Sequence, residues 1–390
     1  MRVGYVTGHD VRQWSKGPRN EVGHMANAYF MAEALRNYGC DIVNLAPPRA
    51  PVTMVGWASE VFYKRVRKQR YLRYVEPPFL DALANQVASS IHSQRVDVIF
   101  SNMARYVAHL DSPLPIVTWR DATFAGALEQ HRDFRDVCKR SIALGHAMER
   151  AALQRCRLSI FRSEWAARSA VEFYGADPAR VVVVPTGGNA DPEWDEAQVQ
   201  QWIRQRETAV CKLLFVGVHW QGKGGPLALD ITRALNNAGV PTQLTIVGCT
   251  PRVAEPLPPY VIVEGFVDKS TQTGREKLAS LGREAHFLLL PTTVDTYGNV
   301  FPESNAYGVP CLAPALAGIT TIIHNGKNGY TFDAQAPAEE WVDCIALHMQ
   351  KVDRYRELAM SSFKEFQTRL SWKVAGKRVK ELLDEIVGKS

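Results

Sequence analysis

Asp295 and Glu303 stand with seven residues between them in a segment whose other residue types suit a binding site. An apolar run, Phe287-Leu288-Leu289-Leu290, reads as a buried strand, so the residues after Pro291 are delivered to a loop at its end. Asn299 is a side chain that caps helices, Pro302 then falls in a first turn where its missing N–H costs little, and Glu303 sits one turn in, with the helix ending near Gly308. A helix start there presents N–H groups that favour a phosphate, while two carboxylates beside it accept hydrogen bonds from the hydroxyls of a sugar and a ribose. Upstream, Gly217-Val218-His219-Trp220-Gln221-Gly222-Lys223-Gly224-Gly225 follows another apolar strand. Taken alone it also fits a plain strand-to-helix turn, with Trp220 either packing or touching a ligand.

The elements that position these segments alternate. Strands are expected over 3–7, 41–45, 96–101, 116–119, 158–162 and 181–185, with helices over 24–38, 141–155 and 165–174. The first helix rests on Met25, Ala28, Tyr29, Ala32 and Leu35, spaced by three and four, and Gly39 stops it. Strand, helix, strand implies a parallel sheet. Thr186-Gly187-Gly188-Asn189-Ala190-Asp191-Pro192 breaks the composition, and a second alternation follows with strands over 212–216, 243–247, 261–264 and 286–290. A last helix is expected over 371–387. The expected fold is α/β, two doubly wound Rossmann-like lobes facing across a cleft. The first covers 1–188, with a helix at about 371–390 packing back on it; 189–208 is a linker; the second covers 209–370. In such folds ligands bind at the carboxyl ends of the strands.

Composition narrows the function classes. The 390 residues carry 46% hydrophobic and 22% charged residues, which suits globular domains and excludes collagen-like or low-complexity chains. No apolar run reaches the length of a membrane span. The opening Met1-Arg2-Val3-Gly4-Tyr5-Val6 turns polar too soon for a signal peptide. Seven cysteines lie far apart without a CxxC pair, which argues against a disulfide scaffold or zinc knuckle and for a reducing cytoplasm. No cluster of His, Cys and carboxylates suggests a metal, and none is expected. The net charge of +6 suits anionic ligands without indicating nucleic acid, and no nucleic-acid partner is expected. The sharpest charge cluster, Lys64, Arg65, Arg67, Lys68, Arg70 and Arg73, is interleaved with Phe62, Tyr63, Tyr71 and Tyr74. It fits a basic helix on anionic lipid, a site for a phosphate-bearing acceptor, a nucleic-acid patch, or a solvated face of the first lobe.

The carboxylate segment resembles the E-x7-E region of retaining, GT-B-fold glycosyltransferases of family 4, the group 1 glycosyltransferases. Asp295 stands at the first Glu, one methylene shorter, and Glu303 at the second; Gly308-Val309-Pro310 follows the family pattern. The segment from Gly217 to Gly225 is similar to the family's Gly-Arg…Lys-Gly stretch, with Lys223 in register and Val218 in the Arg place. Gly23 matches the second glycine of the family's Gly-Gly loop, and Val22 replaces the first. Thr118-Trp119-Arg120-Asp121 occupies the place where many members carry an active-site His. Gly265-Phe266-Val267 resembles the strand end that meets the base, and Ser371-Trp372 opens the helix that crosses back to the first lobe.

The resemblance implies roles residue by residue. Asp295, with the backbone of Tyr297, Gly298 and Asn299, holds the sugar of a nucleotide-diphosphate donor; Glu303 holds the ribose. Lys223, with Gly217, His219, Gly224 and the amide near Val300, holds the diphosphate, and Phe266 and Val267 meet the base. Gly17, Gly23 and Arg120 lie on the acceptor side, and Asp121 is either a helix cap or a catalytic group. The implied activity is retaining, metal-free, cofactor-free sugar transfer to a hydroxyl acceptor, with UDP-sugar as default donor and GDP-sugar open. Alternatives are a silent nucleotide-binding protein of the same fold, or a phosphorylase or epimerase. The implied location is cytoplasmic, with peripheral contact to anionic membrane through Lys64, Arg65, Arg67 and Lys68.

Overall fold

The computed structural model describes residues 1–8, 10–12, 22–45, 54–130, 134–190 and 192–388, with backbone alone at 22–24 and 55. The chain divides into two compact units, residues 1–185 with 372–390, and residues 186–371.

The first unit is built on a six-stranded parallel sheet: β1 (Arg2–Val6), β2 (Asp41–Leu45), β3 (Val98–Ser101), β4 (Ile116–Arg120), β5 (Leu158–Phe161) and β6 (Val181–Val183), in the order β2-β1-β3-β4-β5-β6. β3, β4 and β5 are buried along their whole length, as the near-continuous apolar runs of a sheet covered on both faces require. One face is covered by the helix Val22–Arg36, through Ala28, Met31, Ala32 and Leu35, and by the helix Trp372–Val387. These two helices cross closely. A Cβ on Gly376 would stand 2.5 Å from the Ala34 carbonyl oxygen, so only glycine fits. Trp372 stacks on Phe30 at 5.9 Å and meets Trp119 edge-on at 5.8 Å. The other face carries the helices Pro77–Gln94 and Lys139–Arg155.

The second unit repeats the plan with β7 (Cys211–Val216), β8 (Thr242–Val247), β9 (Val261–Gly265), β10 (Phe287–Leu289), β11 (Cys311–Pro314) and β12 (Gly329–Phe332), ordered β12-β11-β10-β7-β8-β9 and all parallel. The chain winds outward from β7 to one edge and from β10 to the other. The loops after β7 and β10 therefore part company at the carboxyl ends of neighbouring strands, where open α/β sheets bind ligands.

Several expectations need correction. Within residues 189–208, expected as a linker with a short helix, the helix Glu196–Gln205, opened by a capping box at Asp195, packs into the second unit and buries Val199 and Ile203 in its core. β11 and β12 had no counterpart in the expected strands, nor had the helices Met54–Phe62 and Pro77–Gln94. The first helix begins at Val22, so Gly23 lies inside its first turn rather than before it. Among the described residues no helix is long and apolar enough to cross a membrane.

Candidate functional site

The loops after β7 and β10 are bound to each other. The Gly222 carbonyl accepts from the Thr293 N–H at 3.1 Å and from the hydroxyls of Thr292 and Thr293. Gly224 makes this contact sterically feasible: it has φ +75, and a Cβ there would stand 1.7 Å from the Pro291 carbonyl oxygen. Lys223 thereby reaches across to Asp295, Nζ to Oδ2 at 2.6 Å, with side chains 24% and 12% exposed. An ammonium has three N–H donors, so this bond leaves Lys223 two more for an anion. Asp295 Oδ1 accepts from the Tyr297 N–H at 3.4 Å. The buried Tyr297 hydroxyl accepts from the Thr186 N–H at 2.7 Å and donates to the Thr186 carbonyl at 2.9 Å.

Glu303 follows on the helix Val300–Asn305. Its Oε1 accepts from the Asn189 N–H at 2.7 Å, and its Oε2 takes the Lys269 ammonium at 2.5 Å. Two carboxylates, each paired with a lysine, thus stand in consecutive elements of one unit. Asn299 is not the cap the sequence suggested. Its backbone is already helical (φ −55, ψ −25), where a side chain cannot reach back to the first N–H groups, and it donates instead to Asn189 Oδ1 at 3.4 Å. Trp220 is a packing residue, buried against Phe215 at 5.3 Å. Gly217 directly follows β7, His219 and Phe266 are exposed, Val267 packs on the core, and Gly298 is buried with φ +89.

In the first unit the carboxyl ends of β3, β4 and β5 enclose a cavity of about 160 Å³, lined among others by Asn102, Arg105, Arg120, Asp121, Glu149 and Arg162. Arg120 is buried and donates through Nη1 to Glu149 Oε1 at 2.6 Å. Glu149 Oε2 accepts from the Phe124 N–H at 3.2 Å. Asp121 lines the cavity, and Thr123 caps the following helix, its hydroxyl accepting from the Gly126 N–H at 3.2 Å. Burial pushes the neighbouring Cys156 thiol up, which removes it as a nucleophile at neutral pH. Gly17 lies outside the described residues. Among the described residues no three His, Cys, Asp or Glu side chains gather as a metal site.

Two family models match the chain in succession: "Glycosyltransferase Family 4" over residues 27–191 and "Glycosyl transferases group 1" over residues 211–350. The chain belongs to the group 1, family 4 glycosyltransferases. A D-inositol 3-phosphate glycosyltransferase of Geodermatophilus obscurus is 28% identical over 220 residues, which is 53% of this chain and 47% of the relative. The chain thus spans about half the length of the curated relatives it matches. Among solved structures, sucrose-phosphate synthase from Thermosynechococcus elongatus superposes with a TM-score of 0.67 at 14% identity, covering all of both chains. Anabaena Alr3699/HepE, solved with UDP and glucose, gives 0.60 at 14% identity, covering 98% of this chain and 99% of that one. These likenesses establish the GT-B fold, two Rossmann-like units in one chain.

Read as a member of this family, the chain carries residues that its motifs did not reveal. Lys269 and the Asn189 amide hold Glu303 from positions 34 and 114 residues away, and Glu149 holds Arg120 from 29 away. Pairings made through space at such separations leave no periodic trace in a sequence. Asn102 and Arg105 could have been found only by the rule that strand ends line sites, since they directly follow β3.

Proposed function

We propose that this chain is a retaining glycosyltransferase that moves a sugar from a nucleotide-diphosphate sugar, by default a UDP-sugar, to a hydroxyl acceptor. The observation that carries the reading is the Lys223–Asp295 pair at the switch point of the second sheet, followed by Glu303 on the next helix. In this reading the two spare donors of Lys223 bind the β-phosphate and stabilise the charge that grows on it as the sugar leaves. Asp295, fixed by Lys223 and the Tyr297 amide, accepts from sugar hydroxyls. Glu303 accepts from the ribose, and the amide near Val300 adds to the phosphate contacts. Cation and backbone donors supply the charge stabilisation, so the reading is metal-free, and EDTA should leave transfer unchanged.

Family membership and the UDP bound by the Anabaena neighbour support a nucleotide-sugar donor. The experiment is a panel of nucleotide sugars and hydroxyl acceptors with the full chain, read by release of free nucleotide. Phosphate-dependent cleavage without a nucleotide would replace the reading with a phosphorylase. UDP binding with no turnover on any acceptor would make the chain a silent binder. Within this reading, Glu303→Gln keeps size but loses the charged acceptor, and it should weaken UDP by about tenfold. Pyrophosphate, which has no ribose, should bind the variant as it binds the parent. Equal UDP affinity in calorimetry would remove Glu303 from the ribose.

We also propose that this protein rests on anionic membrane through residues 54–68. Met54 is 86% and Trp57 58% exposed, and Phe62 and Val66 are exposed farther along the same run. Lys64, Arg65, Arg67 and Lys68 are exposed beside them, and no carboxylate pairs with them among the described residues. Apolar side chains with flanking cations fit the interface of an anionic bilayer. Changing all four cations to Gln should lower co-sedimentation with phosphatidylserine vesicles by up to about 1 kcal/mol per charge, with soluble UDP binding intact. A parent protein that ignores such vesicles at low salt ends the proposal.

A further inference from the structure

Glu303 is held on both oxygens, from two directions. Oε1 accepts from the Asn189 N–H at 2.7 Å, and Oε2 accepts from the Lys269 ammonium at 2.5 Å. A Cβ on Gly188 would stand 2.3 Å from Glu303 Cγ, so the chain at 188–189 lies directly against the glutamate stem and fixes its direction. Lys269 is as firmly placed. It stands in the loop after β9, where the Asp268 carboxylate accepts from the Ser270 N–H at 2.8 Å and the Asp268 carbonyl from the Thr271 N–H at 3.2 Å. Arg275 clamps the same loop, its Nη1 donating to the carbonyls of Lys269 at 3.2 Å and Ser270 at 2.8 Å. Gly274 lets the helix Gln272–Glu284 close on the loop: a Cβ there would stand 1.9 Å from the Asp268 carbonyl oxygen.

The pair is fixed but not used up. A carboxylate offers about four acceptor positions and an ammonium three donors, so about two of each remain. The side chains of Lys269 and Glu303 are 25% and 13% exposed, which leaves both within reach of a ligand. A donor and an acceptor side by side match a vicinal diol, in which each hydroxyl gives one hydrogen bond and takes another. Position along the site says which diol. Lys269 comes two residues after Val267, in the stretch assigned to the base, and Glu303 three after Val300, whose amide is assigned to the phosphate. The part of a nucleotide between base and phosphate is the ribose.

We propose that Lys269 is a second ribose-binding residue: one ribose hydroxyl donates to Glu303, and the oxygen of its neighbour accepts from Lys269 Nζ. The proposal rests on the reading of Glu303 as the ribose acceptor and adds a contact from a different loop. It makes the intact diol a requirement, so the site selects ribonucleotides over deoxyribonucleotides. It also gives Lys269 a use beyond neutralising a partly buried carboxylate.

The test is calorimetry on the full chain with UDP, 2′-deoxy-UDP, 3′-deoxy-UDP and pyrophosphate, for the parent, Lys269→Met and Glu303→Gln. Lys269→Met keeps the length of the side chain and removes its donors. The ratio of UDP to deoxy-UDP affinity is taken within each protein, so any loss of stability that acts on all ligands alike cancels. The parent should prefer UDP over each deoxy analogue by about tenfold. Lys269→Met should lose the preference over one of the two, and its pyrophosphate affinity should change less than its UDP affinity. If Lys269→Met does not fold, Lys269→Ala replaces it, with the same expected loss. A parent that binds UDP and both analogues equally overturns the proposal. So does a Lys269→Met that weakens all four ligands by one factor, which would make the lysine a charge and nothing more. If Glu303→Gln loses a preference while Lys269→Met keeps both in full, the ribose reading of Glu303 stands and the proposal alone falls. If Glu303→Gln keeps both preferences, the ribose reading itself falls and takes the proposal with it. Should the parent bind GDP in place of UDP, the guanosine series is measured in the same way; a parent that binds neither ends both.

Discussion

Asp295→Asn should cut sugar transfer by about a hundredfold or more while UDP binds as well as before or slightly better. The exchange is nearly isosteric, and Oδ1 can still accept from the Tyr297 amide, so the loop after β10 keeps its shape. What disappears is the charge facing Lys223 at 2.6 Å and the strong acceptor for sugar hydroxyls. Nucleotide affinity survives because the freed Lys223 has one more donor for phosphate. The measurement is a pair, turnover on a nucleotide-sugar panel and UDP calorimetry. Full turnover in Asp295→Asn would show that the sugar is held elsewhere and that the resemblance has been aligned on the wrong carboxylate.

Lys223→Ala should do the opposite, weakening UDP by about tenfold to a hundredfold and leaving uridine untouched. Two effects add. The charge-assisted bonds to phosphate are lost, and Asp295, 12% exposed, is left without its cation beside an incoming diphosphate. Because the pair is in direct contact, the Lys223→Ala, Asp295→Asn double variant should lose less UDP affinity than Lys223→Ala alone. An unchanged UDP isotherm in the single variant would sink the phosphate role of the whole loop after β7.

The parts of this protein that were legible in its residues are those with a local signature. Apolar runs bounded by glycine and proline marked the buried strands, and the reading failed at β11: Cys311–Pro314 follows Gly308-Val309-Pro310 so closely that it reads as the tail of a helix. The run 62–74 was visible as charge, yet its shape, a helix passing into a π-helical turn at Tyr63–Arg67, depends on tertiary support that spacing does not encode. At the site, Asp295, Glu303 and Lys223 were legible because glycine, proline and a preceding strand surround them. That Lys223 holds Asp295, rather than standing apart with the phosphate alone, was not: 72 residues separate the two, and only the order of β7 and β10 in the sheet brings them together. Asn299 shows the reverse error, a good capping residue whose backbone had already turned helical.

The division of the chain also sets an order of assembly. Residues 186–371 lie inside the sequence of the first unit, whose last helix, Trp372–Val387, seals the face formed by Ala28, Met31 and Ala34. On the ribosome, all of the second unit must be made before that seal exists. At about 5–20 residues per second this leaves the apolar face of the helix Val22–Arg36 uncovered for roughly ten to forty seconds. The second unit, contiguous in sequence, is free to fold during that interval, so it matures first although it is translated later. A stop codon just before Trp372 should therefore leave a complete second unit tethered to a first unit whose Ala28, Met31 and Ala34 face stays uncovered.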